Sequence, residues 1–139
     1  MVFVSESSHA LAGRKRVQLV DLAGQEFIHF PLGWGIRRRL DAAFAAVGIR
    51  PVIAYEVADY AITAELIRHR LATTVLPMSV ANRFPDLRAV PLDPPLTWTL
   101  SLAFAAPHYP SLATKALADT IVGHIEKRSK PGSLERDDE

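Results

Sequence analysis

The chain has 139 residues, a formal net charge of +1 and no cysteine. Its length suits one domain or one lobe of a larger domain, and its 49% of hydrophobic residues is enough for a packed core. The small net charge gives no reason to propose nucleic-acid binding by this chain itself. The lack of cysteine excludes disulfides, thiolate metal sites and a cysteine nucleophile. We expect a cytoplasmic protein without a signal peptide or a membrane-spanning segment.

The first part of the chain predicts two strands before the clearest helix. Met1–Val4 and Phe27–Phe30 are short apolar runs typical of strands, and Val17–Leu19 is a further short candidate. The helix that follows has one apolar stripe at helical spacing, formed by Ile36, Leu40, Ala43, Phe44 and Val47. Arg37 and Asp41 are four residues apart, and we expect them to pair on the outer, solvated face of this helix.

The next predicted strand, Pro51–Val57, leads into a second helix. Asp59 is a typical N-cap residue, and Ile62 and Leu66 are expected to line the buried face of that helix. A strand, a short turn or helix, and an edge strand are predicted next, at Thr73–Leu76, Met78–Asn82 and Leu87–Leu92.

The C-terminal part first alternates and then becomes helical. In Thr97–Phe104 every second residue is large and apolar, which predicts a strand with one apolar face formed by Trp98, Leu100, Leu102 and Phe104. Ser111 is a suitable N-cap for a last helix with a stripe at Leu117, Ile121 and Ile125. The polar residues 129–139 are expected to be a disordered tail.

This order of elements predicts an α/β fold with a largely parallel sheet. In such sheets, ligands bind beyond the carboxyl ends of the strands, where the following helices begin. Two such helix starts are predicted here, at Gly33–Ile36 and at Ala58–Ala61. They are the expected ligand-contacting positions.

The loop Pro31–Gly35 lacks the motifs that bind nucleotides. No Gly-Lys-Ser/Thr follows it, and the third glycine of the dinucleotide fingerprint is absent. The loop is therefore either a tight strand-to-helix turn or a ligand-contacting loop. The three arginines at Arg37–Arg39 point about 100° apart on a helix, so they cannot converge on one anion.

No pattern in the chain indicates an enzyme or a metal site. The histidines have no metal-ligand spacing, and His29, within an apolar strand, is expected to be a core residue rather than a base. No nucleophile elbow is present. Glu56 and Asp59 could be a pair of acid–base carboxylates, but Asp59 is explained more simply as an N-cap. We therefore expect no catalysis, no cofactor and no metal. Thr73 and Thr74 either contact a carboxylate ligand or only fill a strand.

Five segments of the chain, taken in order, form a recognisable set. They are HALAGR at His9–Arg14, VQLVDLAGQEFI at Val17–Ile28, FPLGWGIRRRLD at Phe30–Asp41, GIRPVIAYEV at Gly48–Val57 and VLPMSVA at Val75–Ala81. Together they resemble the C-terminal half of the effector-binding domain of LysR-type transcriptional regulators. The resemblance covers about Val2–Ile125, and it lies in the ordered set rather than in any one segment.

The resemblance implies a periplasmic-binding-protein-like (type 2) fold, with two α/β lobes and an effector cleft between them. Within a partial domain of residues 1–128, the chain would supply a hinge strand at Val2–Val4, the second lobe at about Val17–Pro77 with a parallel or mixed sheet, and returning elements of an incomplete first lobe at about Leu96–Ile125. It also implies a small, often anionic metabolite as the effector. The family's helix-turn-helix is not among the matched segments, so no direct DNA contact by this chain is expected.

The resemblance and the two helix starts together suggest the ligand-facing residues. These are expected to be Gly33, Trp34, Val57, Ala58 and Asp59, with Thr73 behind them, and the backbone N–H groups of both helix starts would meet the anion. The turn before Thr73 departs from the family pattern, because Arg70 and Ala72 stand where glycines are usual. Arg70 is expected either to occupy the space left by a glycine or to project its charge toward the ligand.

The resemblance also implies dimers, in which the first lobe of one chain packs on the second lobe of another. The resemblance implies that the first-lobe partners of four apolar residues lie outside this chain, so we expect a homodimer or swapped assembly to cover Trp98, Leu100, Leu102 and Phe104. The favoured interpretation is a ligand-sensing fragment of a LysR-type regulator. The alternative is a dimerisation or interaction module that pairs with a full-length regulator, or a truncated remnant that binds no ligand.

Overall fold

A computed structural model of the chain describes residues 1–104 and 111–129. It divides into two compact units, Met1–Thr99 and Leu100–Glu139, and each is described by itself. The predicted disordered tail lies outside the described residues, apart from its first residue. None of the helices in these two ranges is long and apolar enough to span a membrane.

The first unit alternates strands and helices in the order that the sequence predicts. Its strands are β1 (Val2–Ser5), β2 (Glu26–His29), β3 (Val52–Glu56), β4 (Thr74–Leu76) and β5 (Arg88–Pro91). Its helices are α1 (Gly35–Ala46), α2 (Tyr60–Arg68) and the short α3 (Met78–Ala81), and a 3-10 turn covers Leu19–Leu22. Val17 forms only a single bridge to Leu92, so the short strand predicted at Val17–Leu19 is replaced by this bridge and turn.

The strands of the first unit form two sheets, a three-stranded one in the order β4-β1-β5 and the pair β2-β3. β1 runs antiparallel to both β4 and β5, whereas β2 and β3 are parallel. The two groups of strands meet where Ile28 N donates to Thr73 O at 2.7 Å and Thr73 N donates to Glu26 O at 3.0 Å. Met1 N and Leu96 O, 2.5 Å apart, bring the beginning of this unit next to its final segment.

A single apolar core fills the first unit. Four phenylalanines, Phe3, Phe27, Phe30 and Phe44, are its largest fully buried side chains, and Phe27 meets Phe44 edge to face at 5.5 Å. Helix α1 buries the predicted stripe through Ile36, Leu40 and Phe44, with Ala43 partly buried and Val47 exposed at its end.

Helix α2 buries a face that only partly matches the predicted one, since Leu66 packs partly buried against the core but Ile62 does not. Thr63, Ala64 and Ile67 are buried, whereas Ile62 is 55% exposed. Thr63 can be buried because its hydroxyl donates to Asp59 O at 2.8 Å, which removes the cost of an unpaired polar group. The predicted N-cap is confirmed, since the Asp59 carboxylate accepts from Ala61 N at 2.7 Å and Ile62 N at 2.9 Å.

The segment at residues 97–104 forms no strand in the described part of the chain, so that prediction was wrong. Alternation meets only the side-chain requirement of a strand, because the backbone groups also need a neighbouring strand. Trp98 packs instead against the core of the first unit, and Arg39 Nε donates to Thr97 O at 3.1 Å. The predicted last helix is confirmed as α4 (Leu112–Ser129) in the second unit.

Candidate functional site

The carboxyl ends of β2 and β3 lie side by side. His29 pairs with Glu56 in the parallel register, and Val57 N donates to His29 O at 2.9 Å. The loops that leave the two strands therefore run together into the starts of α1 and α2. We call this rim, residues 30–35 and 57–60, the strand-exit edge. It contains five of the six predicted ligand-facing residues, namely Gly33, Trp34, Val57, Ala58 and Asp59.

Three aromatic rings connect the two halves of the strand-exit edge. The buried ring of Phe30 stacks on Trp34 with centroids 6.1 Å apart and an interplanar angle of 10°. The same ring meets Tyr60, the first residue of α2, edge to face at 5.7 Å. Trp34 remains 40% exposed, so part of its indole is available to a ligand.

The two helix starts at this edge differ in their capping. At α2 the first-turn N–H groups are already taken by the Asp59 carboxylate. At α1 the N-cap residue is Trp34, whose side chain provides no capping hydrogen bond. The backbone reaches α1 through Gly33, which has a φ of +88° that a glycine adopts without strain. The first-turn N–H groups of α1 are therefore not occupied by a capping side chain, unlike those of α2.

An ionic network with a buried arginine at its centre lies directly behind the edge. Arg37 is only 9% exposed. Its Nε donates to Asp41 Oδ2 at 2.8 Å, and its Nη1 donates to Phe30 O at 2.9 Å and to Glu56 Oε2 at 3.3 Å. The predicted pair with Asp41 is confirmed, but its predicted place on a solvated face was wrong, because α1 turns Arg37 toward β2 and β3 rather than toward water.

His29 belongs to the same network and is the core histidine that its apolar strand predicted. It is fully buried, and its Nδ1 accepts from Phe30 N at 3.0 Å. The proton therefore sits on Nε2, which donates to Asp41 Oδ1 at 3.0 Å. Burial, followed by the nearby Arg37 charge, lowers the pKa of His29, although Asp41 opposes this shift. The ring is accordingly neutral at pH 7.

Thr73, the sixth predicted residue, lies at the opposite end of β2. Its backbone pairs with Glu26, the first residue of that strand. There it lines a separate cavity of about 280 Å³, together with Glu6, His9 and Arg70. The structure therefore does not bring Thr73 to the strand-exit edge.

Arg70 keeps the backbone geometry that a glycine would have there. Its φ is 59°, a left-handed conformation that side chains rarely adopt. The guanidinium pairs with Glu6, with Nε and Oε2 3.1 Å apart, so its charge is directed to that residue. Hydrogen bonds from Ser8 and then Ser7, with a smaller contribution from Arg70, lower the pKa of Glu6 to about 2.

Three contributors to the site were missed by reasoning from the sequence. Phe30 and Tyr60 were not predicted to form the aromatic connection, and Arg37 was predicted to lie on the solvated face of α1. The available signal for Arg37 was its position in the first turn of a helix, directly after a strand end, where it can reach both the strand and its neighbour. Among the residues that the structure describes, no group of three or more His, Asp or Glu side chains could hold a metal ion.

Comparison with known proteins identifies relatives of this chain. The family model described as LysR substrate binding domain matches residues 1–126. The uncharacterized HTH-type transcriptional regulator YwbI of Bacillus subtilis (strain 168) is 29% identical over 119 residues, which cover 84% of this chain and 40% of YwbI. The chain thus spans less than half the length of that regulator.

Two solved structures show the same fold. The effector-binding domain of QuiR in complex with shikimate is 25% identical with a TM-score of 0.71, and the match covers 91% of this chain and 61% of the QuiR chain. The effector-binding domain of BenM with its effector benzoate is 20% identical with a TM-score of 0.67, over 97% of this chain and 64% of the BenM chain. The fold is the periplasmic-binding-protein-like (type 2) fold implied by the sequence, and this chain covers part of that domain.

Proposed function

Because the chain belongs to the LysR substrate-binding domain family, we propose that it is the ligand-sensing part of a LysR-type transcriptional regulator that acts in the cytoplasm. It binds a small anionic metabolite at the strand-exit edge and performs no chemistry on it. Signalling then rests on differential affinity of the effector for two arrangements of the regulator, since a ligand shifts an equilibrium only by that difference.

The observation that carries this proposal is the difference between the two helix starts. An anion is favoured at a helix start by the free N–H groups and the helix dipole. Asp59 already supplies that anion to α2, whereas the start of α1 has no capping side chain from Trp34. The effector anion therefore meets the N–H groups of α1, and Val57 and Ala58 line the opposite side.

Two of the arginines next to this edge, Arg37 and Arg39, are already engaged by other groups. Arg37 is engaged by the carboxylates of Asp41 and Glu56, and Arg39 donates to a backbone carbonyl. Backbone N–H groups at a helix start can receive a compact anion, such as a carboxylate. QuiR, with 25% identity to this chain, holds shikimate, which is such a carboxylate.

Calorimetric titration tests this proposal with two pairs of compounds that differ in charge. Shikimate or benzoate is expected to bind, whereas methyl shikimate and benzamide, which have similar shapes but no charge, are expected not to bind. A rise in Tm with ligand concentration would support the same conclusion independently. Equal binding of the charged and uncharged compounds, or binding that persists when Trp34 is replaced by alanine, would argue against this site.

The exposed apolar side chains of the second unit favour a second function, that of a dimerisation module. Leu100, Leu102 and Phe104 are 75%, 50% and 50% exposed. We infer that a second copy of the chain, or a full-length regulator of the same family, covers them, because contiguous exposed apolar surface promotes association. Trp98 is not part of this surface, since it packs on the core of the first unit.

A further inference from the structure

One guanidinium group joins the ends of two neighbouring strands. Arg37 Nη1 lies 2.9 Å from Phe30 O, immediately after β2, and 3.3 Å from Glu56 Oε2, at the last residue of β3. Arg37 Nε is held from the other side by Asp41 at 2.8 Å. The side chain thus connects α1 to the exits of both β2 and β3.

The backbone of Phe30 is held at both of its polar groups. Its N–H donates to His29 Nδ1 at 3.0 Å, and its carbonyl accepts from Arg37. Both partners bind Asp41, one at each carboxylate oxygen. Asp41 therefore sets the positions of His29 and Arg37 together, and these two set the orientation of the Phe30 peptide groups.

The position of Phe30 is passed on to the ligand-facing residues through its ring. The ring stacks on Trp34 at 6.1 Å and meets Tyr60 at 5.7 Å. A shift of Phe30 would move the indole at the start of α1 and release the contact with the start of α2. Packed aromatic contacts transmit such shifts because protein interiors have few voids to absorb them.

We propose that Arg37 is the positioning residue of the effector site, which fixes the spacing of the two strand exits without touching the effector. The expected effect of Arg37 on effector affinity rests on the proposed function, whereas its expected effect on the order of the two loops does not. A preorganised site binds more tightly because less ordering is left to be done on binding.

The chemistry of the guanidinium fits this role. Its planar fork donates in several fixed directions at once, whereas the ammonium of lysine is a compact point charge. Its carboxylate partners, Asp41 and Glu56, have side chains 44% and 50% exposed, so water can solvate them when the arginine is removed. Arg37→Gln is therefore expected to fold, unlike a variant that strands a fully buried charge.

Amide hydrogen exchange tests the positioning role without any ligand. In Arg37→Gln, exchange at the N–H groups of Trp34 and Val57 is expected to become about tenfold faster, while exchange in β1 stays unchanged. Arg38→Gln, the same substitution at the exposed neighbouring position, is expected to change neither. Arg37→Lys is expected to lie between the wild type and Arg37→Gln.

Titration with shikimate provides the second measurement. The Kd of Arg37→Gln is expected to rise about tenfold, within the usual range of coupling between groups, and that of Arg38→Gln to stay unchanged. If Arg37→Gln fails to fold, Asp41→Asn, which keeps Arg37 but weakens its anchor, must show the same changes on a smaller scale.

Equal acceleration of exchange in β1 and at the edge, or no acceleration at the edge, would overturn the positioning role. Failure of the wild type to bind shikimate would count against the proposed function, while the exchange data would still decide the role of Arg37.

Discussion

His29 shows how one buried side chain links proton binding to the shape of the site. As a neutral ring it accepts from the Phe30 N–H and donates to Asp41. A second proton would occupy Nδ1, and Phe30 would lose its acceptor. The charged groups around the ring are Asp41, Arg37 and Glu56, and burial together with the Arg37 charge keeps its pKa below the ordinary value of 6.5.

Stability is expected to fall as the pH drops below about 6.5, because the unfolded chain then takes up a proton that folded His29 resists. The stabilisation is complete above this pH and is lost progressively toward the lowered pKa of the folded state. Urea unfolding at pH 7.5 and 5.5 measures this loss. His29→Gln should be less stable at pH 7.5 but less sensitive to pH, whereas His69→Gln, at an exposed position, should follow the wild type. Parallel pH profiles for all three proteins would contradict the assignment.

At the scale of single elements, the sequence predicted what depends on neighbours along the chain. The apolar stripe of α1 and the N-cap at Asp59 follow from spacing within one helix, and both are present in the structure. The burial of Thr63, Ala64 and Ile67 in α2 and the burial of Arg37 were not predicted, because they depend on which strands lie beneath each helix. The segment 97–104 was mispredicted as a strand for a related reason, since a strand also requires a partner that is distant in sequence.

In the candidate site, too, the features that depend on local sequence were predicted, and those that depend on long-range contacts were not. The glycine turn at Gly33 and the two helix starts were predicted from local signals and meet at one edge. Thr73 was expected behind them, but its backbone hydrogen bonds place it beside Glu26, at the beginning of β2. The Phe30 contacts join residues from two loops, so no local pattern indicates them.

Helix α2 depends on its own capping carboxylate. Asp59→Ala is expected to lower the free energy of unfolding by about 1 kcal/mol, since two first-turn N–H groups lose their acceptor. Asp59→Asn retains a capping oxygen and should cost clearly less. Chemical denaturation of both variants at pH 7 checks this order, and equal losses for alanine and asparagine would show that the charge rather than the cap stabilises α2.

At the scale of the whole molecule, we expect the apolar residues after the first unit to determine how copies associate. The wild-type chain is expected to form dimers in light scattering, because burial of Leu100 and Leu102 removes apolar surface from water. The double variant Leu100→Ser/Leu102→Ser is expected to shift the distribution toward monomers. Val20→Ser, also at an exposed apolar position but in the first unit, provides the control. A monodisperse wild-type monomer would exclude this interface.

The contact between Met1 N and Leu96 O has a practical consequence. It places Met1 within hydrogen-bonding distance of Leu96, three residues before the last residue of the first unit, and domains with adjacent ends tolerate insertion into other proteins. Residues 1–99 could therefore be inserted into a surface loop of a fluorescent protein without distorting either protein. In such a chimera, the metabolite binding proposed for the strand-exit edge would be measured as a change in light emission.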